Sequence, residues 1–374
     1  MIRLIVIGIL FFLLFLLQRK VYKRLWNRHL TVTVAFGQDH IFQGGQGELK
    51  EIIENRKRLP LSMLKVKFKT DRHLLFDSAQ GSRTTDQFYR NDVFHIRSGE
   101  KVTRTLKFQG GRRGYYDIDG VGLVASDLLL TSMFLADIPA KTSLYVYPRP
   151  FDSREFRRSL TKLNGEVLAR RHLLEDPFEY RGIREYQPFD DMRSINWKAT
   201  AKTDDLKVNQ KNYTSLKSVR IFFNIQDDNI LKKDACVEAS LSIVAGLGAW
   251  FLSQGIQVSC FGNGVDIRTG QPVVIEAKAG DGQMDTIYRS LARLDLDKPV
   301  VSFTDTFEER IFSQTGETIT CFVAPNQYEN YLELLQRFGQ AGNDYIWFYP
   351  VQGSKEPELP SGVQKNTRVL HLEI

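Results

Sequence analysis

An uninterrupted apolar run near the amino terminus constrains this chain more than any other feature. Leu4 to Leu17 reads LIVIGILFFLLFLL, without a charged side chain. As a helix this run is about 21 Å long at about 1.5 Å per residue, whereas the hydrocarbon core of a bilayer is ~30 Å thick. The run can therefore cross a membrane only if the residues that flank it reach the polar interface on each side.

Three interpretations compete for this run: a cleaved signal peptide, a buried core helix and a membrane anchor. Gln18, Arg19 and Lys20 follow the run, where a signal peptide needs small residues for cleavage. A core helix that is apolar on all sides has little to pack against at the terminus of a chain. The sequence therefore favours a single-pass anchor, and we assign residues 1–29 to the anchor and its basic juxtamembrane segment.

The charges on the two sides of the run predict the orientation of the chain. Only Arg3 precedes the run, whereas five basic residues follow it, namely Arg19, Lys20, Lys23, Arg24 and Arg28. Under the positive-inside rule, the residues after the run are cytoplasmic. The same cations attract anionic headgroups at about 1 kcal/mol each. We therefore predict a cell-membrane protein that contacts membrane lipid and has its soluble domains in the cytoplasm.

The composition of the chain is that of a globular protein. Of 374 residues, 42% are hydrophobic and 25% are charged, which excludes a largely disordered or fibrous chain. The net charge is +7, but acidic residues are interspersed among the 51 Lys and Arg, so the sequence predicts no nucleic-acid partner. The three cysteines cannot all pair, which excludes a disulfide scaffold.

Residues 30–150 have the pattern of a β-sandwich domain. Apolar and polar residues tend to alternate in Leu30–Phe36, Leu64–Phe68 and Val102–Phe108, as in strands with one buried face. Turn residues such as Gly110 and Gly111 separate these segments. Many short strands without a long helical pattern predict an all-β sandwich.

Residues 219–374 have a different pattern, in which strands and helices alternate. Val219–Ile225 predicts a buried strand, and Ala235–Gln254 predicts a long helix. Tyr345–Pro350 is predicted to close the sheet. Such alternation predicts an α/β domain of the Rossmann type with a mainly parallel sheet. The charge-rich residues 151–218 are assigned to a linker that packs on this domain.

The common catalytic motifs are absent from the sequence. It contains no G-x-x-x-x-G-K-[ST], no G-x-G-x-x-G that opens a helix, no G-x-S-x-G and no H-E-x-x-H. The six histidines are never three to five residues apart, the spacing that places two ligands on one helix face. We therefore predict no catalytic residue and expect that the protein is not an enzyme.

One segment, Arg181 to Lys198, concentrates charged and aromatic residues. Its carboxylates are Glu185, Asp190 and Asp191, its cations include Arg184, Arg193 and Lys198, and its aromatic residues include Tyr186 and Trp197. One interpretation is an acid/base site, since paired charges shift pKa values. The other, which we favour, is an ion-paired brace that locks the segment onto the α/β core. In that brace Asp190 caps a helix, with Arg193 three residues on, and Trp197 is the buried anchor.

This segment resembles the signature of the bacterial domain of unknown function 58 family, approximately R-E-Y-x-x-G-D-x-x-R-x-I-x-W-x-x-[ST]-A-[RK]. The matching residues are Arg184, Glu185, Tyr186, Asp190, Arg193, Ile195, Trp197, Thr200, Ala201 and Lys202. Phe189 departs from the pattern because it stands where the family has glycine. The resemblance implies an N-terminal anchor, a β-sandwich and a von Willebrand factor A-like α/β domain. It also implies MoxR-type AAA ATPases as partners.

The implied von Willebrand factor A-like domain raises the question of a metal site. Domains of this type that bind Mg²⁺ use D-x-S-x-S after the first strand, because hard oxygen ligands suit that cation. The corresponding residues here are Asn224, Gln226 and Asp228, which lack the serines and begin with a neutral amide. We therefore predict a degenerate site with no metal and no cofactor.

These observations lead to one main hypothesis and two alternatives. The main hypothesis is a non-catalytic, membrane-tethered adaptor that presents its α/β surface to a protein partner. A MoxR-type AAA ATPase, acting in envelope-related assembly or maturation, is the partner that the resemblance implies. One alternative is a hydrolase that uses Glu185, Asp190 or Asp191, and the other is binding of lipid or nucleic acid by the basic surface.

Overall fold

The computed structural model describes residues 2–77, 82–84, 87–173, 175–188, 190–213, 218–228, 233–313, 318–353 and 357–372. Phe189, which departs from the family pattern, lies outside the described residues. The chain divides into two compact units. The first contains Met1–Arg149 and Tyr288–Leu294, and the second contains Pro150–Ile287 and Asp295–Ile374.

The apolar run lies in a helix that is longer than the run itself. Helix α1 (Ile2–Leu25) has 24 residues, which corresponds to about 36 Å. The most apolar 18-residue stretch within Arg3–Leu25 has a mean hydropathy of 2.3 and is unburied. By length and composition this helix can cross a membrane, although an N-terminal signal sequence has the same properties.

In the described part of the first unit, ten strands follow α1. In chain order they are β1 (Leu30–Phe36), β2 (His40–Phe42), β3 (Gln46–Asn55), β4 (Leu61–Asp71), β5 (Leu74–Phe76), β6 (Ser82–Thr84), β7 (Gln87–Ile96), β8 (Lys101–Gly110), β9 (Gly114–Ser126) and β10 (Met133–Tyr147). One sheet has the order β1-β3-β8-β5, and the other has the order β2-β10-β9-β4-β7-β6. The neighbouring strands are antiparallel, except that β2 is parallel to β10.

The two sheets of this unit share one hydrophobic core. Leu49 and Leu106 of the first sheet lie in the same buried cluster as Leu64 and Val66 of the second. Along β3 and β7, buried and more exposed residues alternate, because successive side chains of a strand point to opposite faces. The first unit therefore has the predicted β-sandwich character.

The second unit contains one larger sheet, one hairpin and several helices. Its first elements are α2 (Arg154–Leu173), β11 (Glu175–Glu185), α3 (Trp197–Thr203), β12 (Lys207–Tyr213), β13 (Ser218–Phe223), α4 (Asp234–Ser253), β14 (Gln257–Val265) and β15 (Pro272–Lys278). They are followed by α5 (Asp281–Ala292), α6 (Phe303–Phe312), β16 (Thr318–Val323), α7 (Glu329–Gln340), β17 (Tyr345–Gln352), α8 (Ser361–Gln364) and β18 (Thr367–Leu372). The residues of α5 from Tyr288 onwards belong to the first unit. The sheet order is β15-β14-β13-β16-β17-β18, and β11 pairs with β12.

The larger sheet is mixed, which corrects the predicted fold class. Strand β15 runs antiparallel to β14, while the other neighbours are parallel. A tight turn joins these two strands, with a hydrogen bond of 2.8 Å from Gly270 N to Asp266 O, and it leaves no room for a crossover helix. The prediction of an α/β von Willebrand factor A-like, Rossmann-type domain is therefore wrong. Antiparallel sandwich strands make up much of the described structure, and the residues described here form no clear domain of that type.

Two local predictions in this unit are also wrong. The predicted last strand, Tyr345–Pro350, does not close the sheet, because β18 pairs with β17 beyond it. The spacing of Asn326 and Glu329 predicts a capping box, but Tyr328 is the N-cap of α7 and makes no side-chain capping bond. The Asn326 amide instead donates to Gln226 O at 2.7 Å.

Candidate functional site

The signature segment forms a small substructure of the second unit. Strands β11 and β12 pair antiparallel, with Arg184 opposite Val208 and Glu185 opposite Lys207. Between the strands the chain makes a 3₁₀ turn at Met192–Ser194 and then helix α3. The predicted signature residues outside α3 thus lie on the hairpin or in the connection between its strands.

A bidentate ion pair between Arg184 and Asp190 stabilises the first half of this connection. Arg184 Nη1 lies 2.7 Å from Asp190 Oδ2, and Arg184 Nη2 lies 2.5 Å from Asp190 Oδ1. The Gln187 N–H also donates to Asp190 Oδ2. Hydrogen bonds from Arg184 and Gln187 lower the pKa of Asp190 below its ordinary value. Asp190 is therefore an ionised carboxylate held by Arg184. The prediction that Asp190 caps a helix is wrong.

The other acidic signature residues have separate local roles. Asp191 is the N-cap of the 3₁₀ turn, and its Oδ1 accepts from Arg193 N at 3.1 Å. Glu185 lies 3.2 Å from Lys207 Nζ and has an exposed side chain. Their carboxylates stabilise separate parts of the hairpin, and no contact joins them as an acid/base pair in the described part of the segment.

Trp197 is exposed, which corrects its predicted role as a buried anchor. The side chain is 64% exposed, whereas Ile195 and Val208 are buried and form a bridge between the connection and β12. Asn196 Oδ1 accepts from Ala199 N at 3.0 Å, so that α3 begins directly at Trp197. Ile195 is therefore the buried side chain of this segment, and the Trp197 side chain is exposed to solvent.

The same segment exposes several other large apolar side chains. We define the signature surface as Ile183, Met192, Trp197 and Leu206, each of which is at least 45% exposed. The remaining signature residues Tyr186, Arg193 and Lys202 are half-buried or exposed on this segment. Exposed apolar residues grouped on one short segment are typical of an interaction site.

A second location is the carboxyl end of β13, where the degenerate metal site was predicted. A cleft of about 340 Å³ opens there, lined by Ile225, Asp227, Asp228, Asp234, Val237, Leu296, Asp297, Lys298, Pro299 and Val300. Asn224 lies beneath it and is buried. Within the described ranges, no group of three His, Cys, Asp or Glu side chains is placed to hold a metal.

An amide network fixes the loop at this cleft. Asn224 Oδ1 accepts from Gln226 N at 3.0 Å and from Asn263 Nδ2 at 2.8 Å. Asn263 Oδ1 in turn accepts from Ile225 N at 2.9 Å, and the Gln226 amide donates to Asp228. The oxygen of Asn224 is thus already engaged by two donors. Asn263 was not predicted from the sequence, although an asparagine within a buried strand is a signal of such a network.

A buried charged cluster in the β-sandwich was also missed. Arg90 Nε and Arg104 Nη1 lie 2.5 and 2.9 Å from the two oxygens of Asp92. Glu51 is fully buried near this group, and burial, together with the Asp92 carboxylate, raises its pKa to about 8. Charged residues at the inward positions of alternating strands are the sequence signal that indicates this cluster.

Comparison with known proteins gives structural likeness alone. No family model and no curated protein matches the chain. A cohesin from Archaeoglobus fulgidus matches with 12% identity, a TM-score of 0.21, and coverage of 34% of this chain and 97% of its own. A cohesin–dockerin complex from Clostridium thermocellum matches with 8% identity, a TM-score of 0.22, and coverage of 31% and 99%. The PapD-like domain of human CEP192 matches with 11% identity, a TM-score of 0.18, and coverage of 30% and 84%.

Proposed function

We propose that this protein is a membrane-tethered adaptor without catalytic activity, and that the signature surface binds a protein partner. The exposure of Trp197 is the observation that carries this proposal. Tryptophan is enriched among residues that dominate binding energy when they become buried at an interface. The partner that we propose is a MoxR-type AAA ATPase, as the resemblance of the signature implies.

The bracing of the segment supports this role. The Arg184–Asp190 ion pair and the 2.6 Å hydrogen bond from Asn196 Nδ2 to Asn209 Oδ1 hold the connection in one conformation. A surface that is ordered before binding loses less conformational entropy when the partner docks. The charged residues of the signature therefore position the apolar residues of the signature surface.

The same contacts speak against the hydrolase alternative. A general acid needs a carboxyl group whose pKa is raised towards neutrality. The pKa of Asp190 is lowered instead, and its oxygens accept from Arg184 and Gln187. Asp191 is occupied as a cap, and Glu185 pairs with Lys207. These roles fit a structural brace better than proton transfer.

We further propose that α1 anchors the protein in the cell membrane, with the soluble units in the cytoplasm. The length and apolar character of α1 support the anchor. Five basic residues at its carboxyl-terminal side support the orientation under the positive-inside rule. The same five residues support contact with anionic lipid headgroups.

Affinity capture from native membranes tests the adaptor function. The tagged full-length protein is captured in the presence of a non-hydrolysable ATP analogue, and the recovered proteins are identified by mass spectrometry. We expect an AAA ATPase with the wild type and at least a tenfold lower recovery with Trp197→Ala or Met192→Ala. Tyr89→Ala, at an exposed aromatic residue of the first unit, is the matched control and retains the partner.

Two results would contradict this proposal. One is capture that recovers no AAA ATPase under nucleotide-bound conditions. The other is equal recovery by the wild type and by both signature-surface variants, because Trp197 and Met192 would then lie outside the interface.

A further inference from the structure

The hairpin between β9 and β10 carries an exposed apolar tip. We define the leucine tip as Leu128, Leu129, Leu130 and Met133, each of which is more than half exposed. Its three leucines lie between the paired residues Ser126 and Met133. Four large apolar side chains in water at the end of a hairpin are not explained by the core of the sandwich.

Contacts with α1 place this tip beside the end of the apolar run. The Gln18 amide donates to Asp127 Oδ2 at 3.1 Å, directly before the three leucines. Trp26 stacks on Phe134 with ring centroids 6.4 Å apart, directly after Met133. The tip is therefore fixed next to the point where the run ends at Leu17.

The tip is also held in one conformation. Asp127 is fully buried, and its carboxylate accepts from Thr131 N at 2.7 Å and from Thr131 Oγ1 at 2.6 Å. Leu130 has a φ of +61°, a left-handed conformation that favours glycine. A leucine at such a position is strained, and strain of this kind is typical of functional segments.

We infer that the leucine tip inserts into the lipid bilayer next to α1, as a second membrane contact; this inference rests on the proposed anchor function of α1. The apolar run measures about 21 Å and is shorter than the ~30 Å hydrocarbon core. Because Gln18 is bonded to Asp127, a run that is drawn into the bilayer brings the tip with it. The leucines then supply apolar surface at the depth where the helix becomes polar.

The surroundings of the tip favour lipid over a protein partner. The apolar side chains of α1 from Leu4 to Leu14 are exposed and lead towards the tip along the helix. Arg19 and Lys20 are exposed next to Gln18, at the depth where phosphate headgroups would lie. An apolar surface bordered by cations matches the order of layers in a membrane that contains anionic lipid.

Depth-dependent fluorescence quenching tests this inference. The full-length protein is reconstituted into vesicles of phosphatidylcholine and phosphatidylglycerol, with or without doxyl-labelled lipid. The native Cys236, Cys260 and Cys321 are buried, so an environment-sensitive dye reacts with an introduced cysteine. We expect a blue shift and at least twofold quenching by doxyl lipid for the dye at Leu129→Cys and also at Leu128→Cys.

Leu75→Cys is the matched control within the same unit. Leu75 is an exposed leucine of β5 and pairs with Gln109 of β8. Lys101, at the other end of β8, lies about 27 Å away along the strand, near the residues that follow α1. The dye at Leu75 is therefore expected to remain unquenched. Equal quenching at Leu75 and Leu129 would overturn the inference, because it indicates non-specific adsorption.

A dye at Leu10→Cys separates failure of this inference from failure of the anchor. Quenching at Leu10 without quenching at Leu129 overturns the leucine-tip insertion and leaves the anchor intact. No quenching at Leu10 overturns the anchor and the inference with it. A blue shift at Leu129 that doxyl lipid does not quench also overturns the inference, because it indicates a protein contact.

Discussion

At the scale of residues, the most unusual feature is the charged cluster in the core of the β-sandwich. Asp92 is buried between Arg90 and Arg104, which offset the cost of burying its charge. The same arginines also act on Glu51, but burial and the Asp92 carboxylate outweigh them and raise the pKa of Glu51 to about 8. Glu51 is therefore neutral in the folded protein over most of the physiological range.

This pKa shift predicts how stability depends on pH. Between pH 4.5 and 8, the folded state keeps a proton on Glu51 that the unfolded state has released. Its stabilising contribution is therefore complete below pH 4.5 and is lost as the pH rises to 8, by on the order of 1 kcal/mol per pH unit. We expect Glu51→Gln to remove this slope, as measured by urea unfolding of the full chain in detergent.

Glu54→Gln is the control for this experiment, because Glu54 lies on the same strand but pairs with Arg56 at the surface. The variant is expected to keep the pH slope of the wild type. A slope that persists in Glu51→Gln would contradict the assignment to Glu51.

At the scale of elements, turns and caps decide where the helices end and how the sheet is connected. Helix α4 has a buried apolar face and ends at Ser253, and the Ile256 N–H then bonds back to Phe251 O. This return requires the left-handed conformation of Gly255, whose φ is +72°. The predicted end of this helix at Gly255 follows from that conformation.

Gly255→Ala is therefore expected to lower the free energy of unfolding of the second unit by about 1 kcal/mol. A Cβ at Gly255 meets no atom within 4 Å, so the loss is conformational and not steric. Thermal unfolding of the full chain in detergent measures it. The matched control is Gly282→Ala in α5, where the added Cβ is equally free and φ is not positive. Gly282→Ala is expected to be neutral or slightly stabilising, and equal losses in both variants would contradict this explanation.

At the scale of the whole molecule, α1 is part of the first unit rather than a separate tether. Tyr22 and Trp26 are buried, and Tyr22 Oη donates to Pro60 O at 3.1 Å. Together with the Gln18–Asp127 bond, these contacts fix the carboxyl-terminal third of α1 to the sandwich. The helix is thereby joined to the sandwich without a flexible linker.

Trp26→Ala tests this attachment. Removal of a buried tryptophan leaves a cavity and is expected to destabilise the first unit by about 3–5 kcal/mol. Hydrogen exchange of the full chain in detergent, read by mass spectrometry, should become faster in β1 and β10 while β16 and β17 remain protected. Trp250→Ala, at a half-buried residue of α4, is the control and should leave β1 unchanged. Unchanged exchange of β1 in Trp26→Ala would contradict the attachment.

Features that depend on local patterns could be predicted from the order of the residues alone. A long apolar run predicts a helix able to cross a membrane, and alternation of apolar residues predicts the strands of the sandwich. Gly255 marked the end of α4 because a left-handed residue is a local requirement. The ion pair of Arg184 with Asp190 joins residues six positions apart, so a brace within the signature segment could be predicted from the local sequence.

The burial of individual side chains and the order of the strands depend on contacts that form when the chain folds. Trp197 was predicted to be an anchor, but the bridge between Ile195 and Val208 fills the inner position. The antiparallel pairing of β15 with β14 made the sheet mixed, contrary to the predicted fold class, and β18 rather than β17 forms its edge. The position of the leucine tip beside α1 is shown by the Gln18–Asp127 contact, which joins residues 109 positions apart. Burial and strand order depend on such distant contacts, and a local pattern carries no information about them.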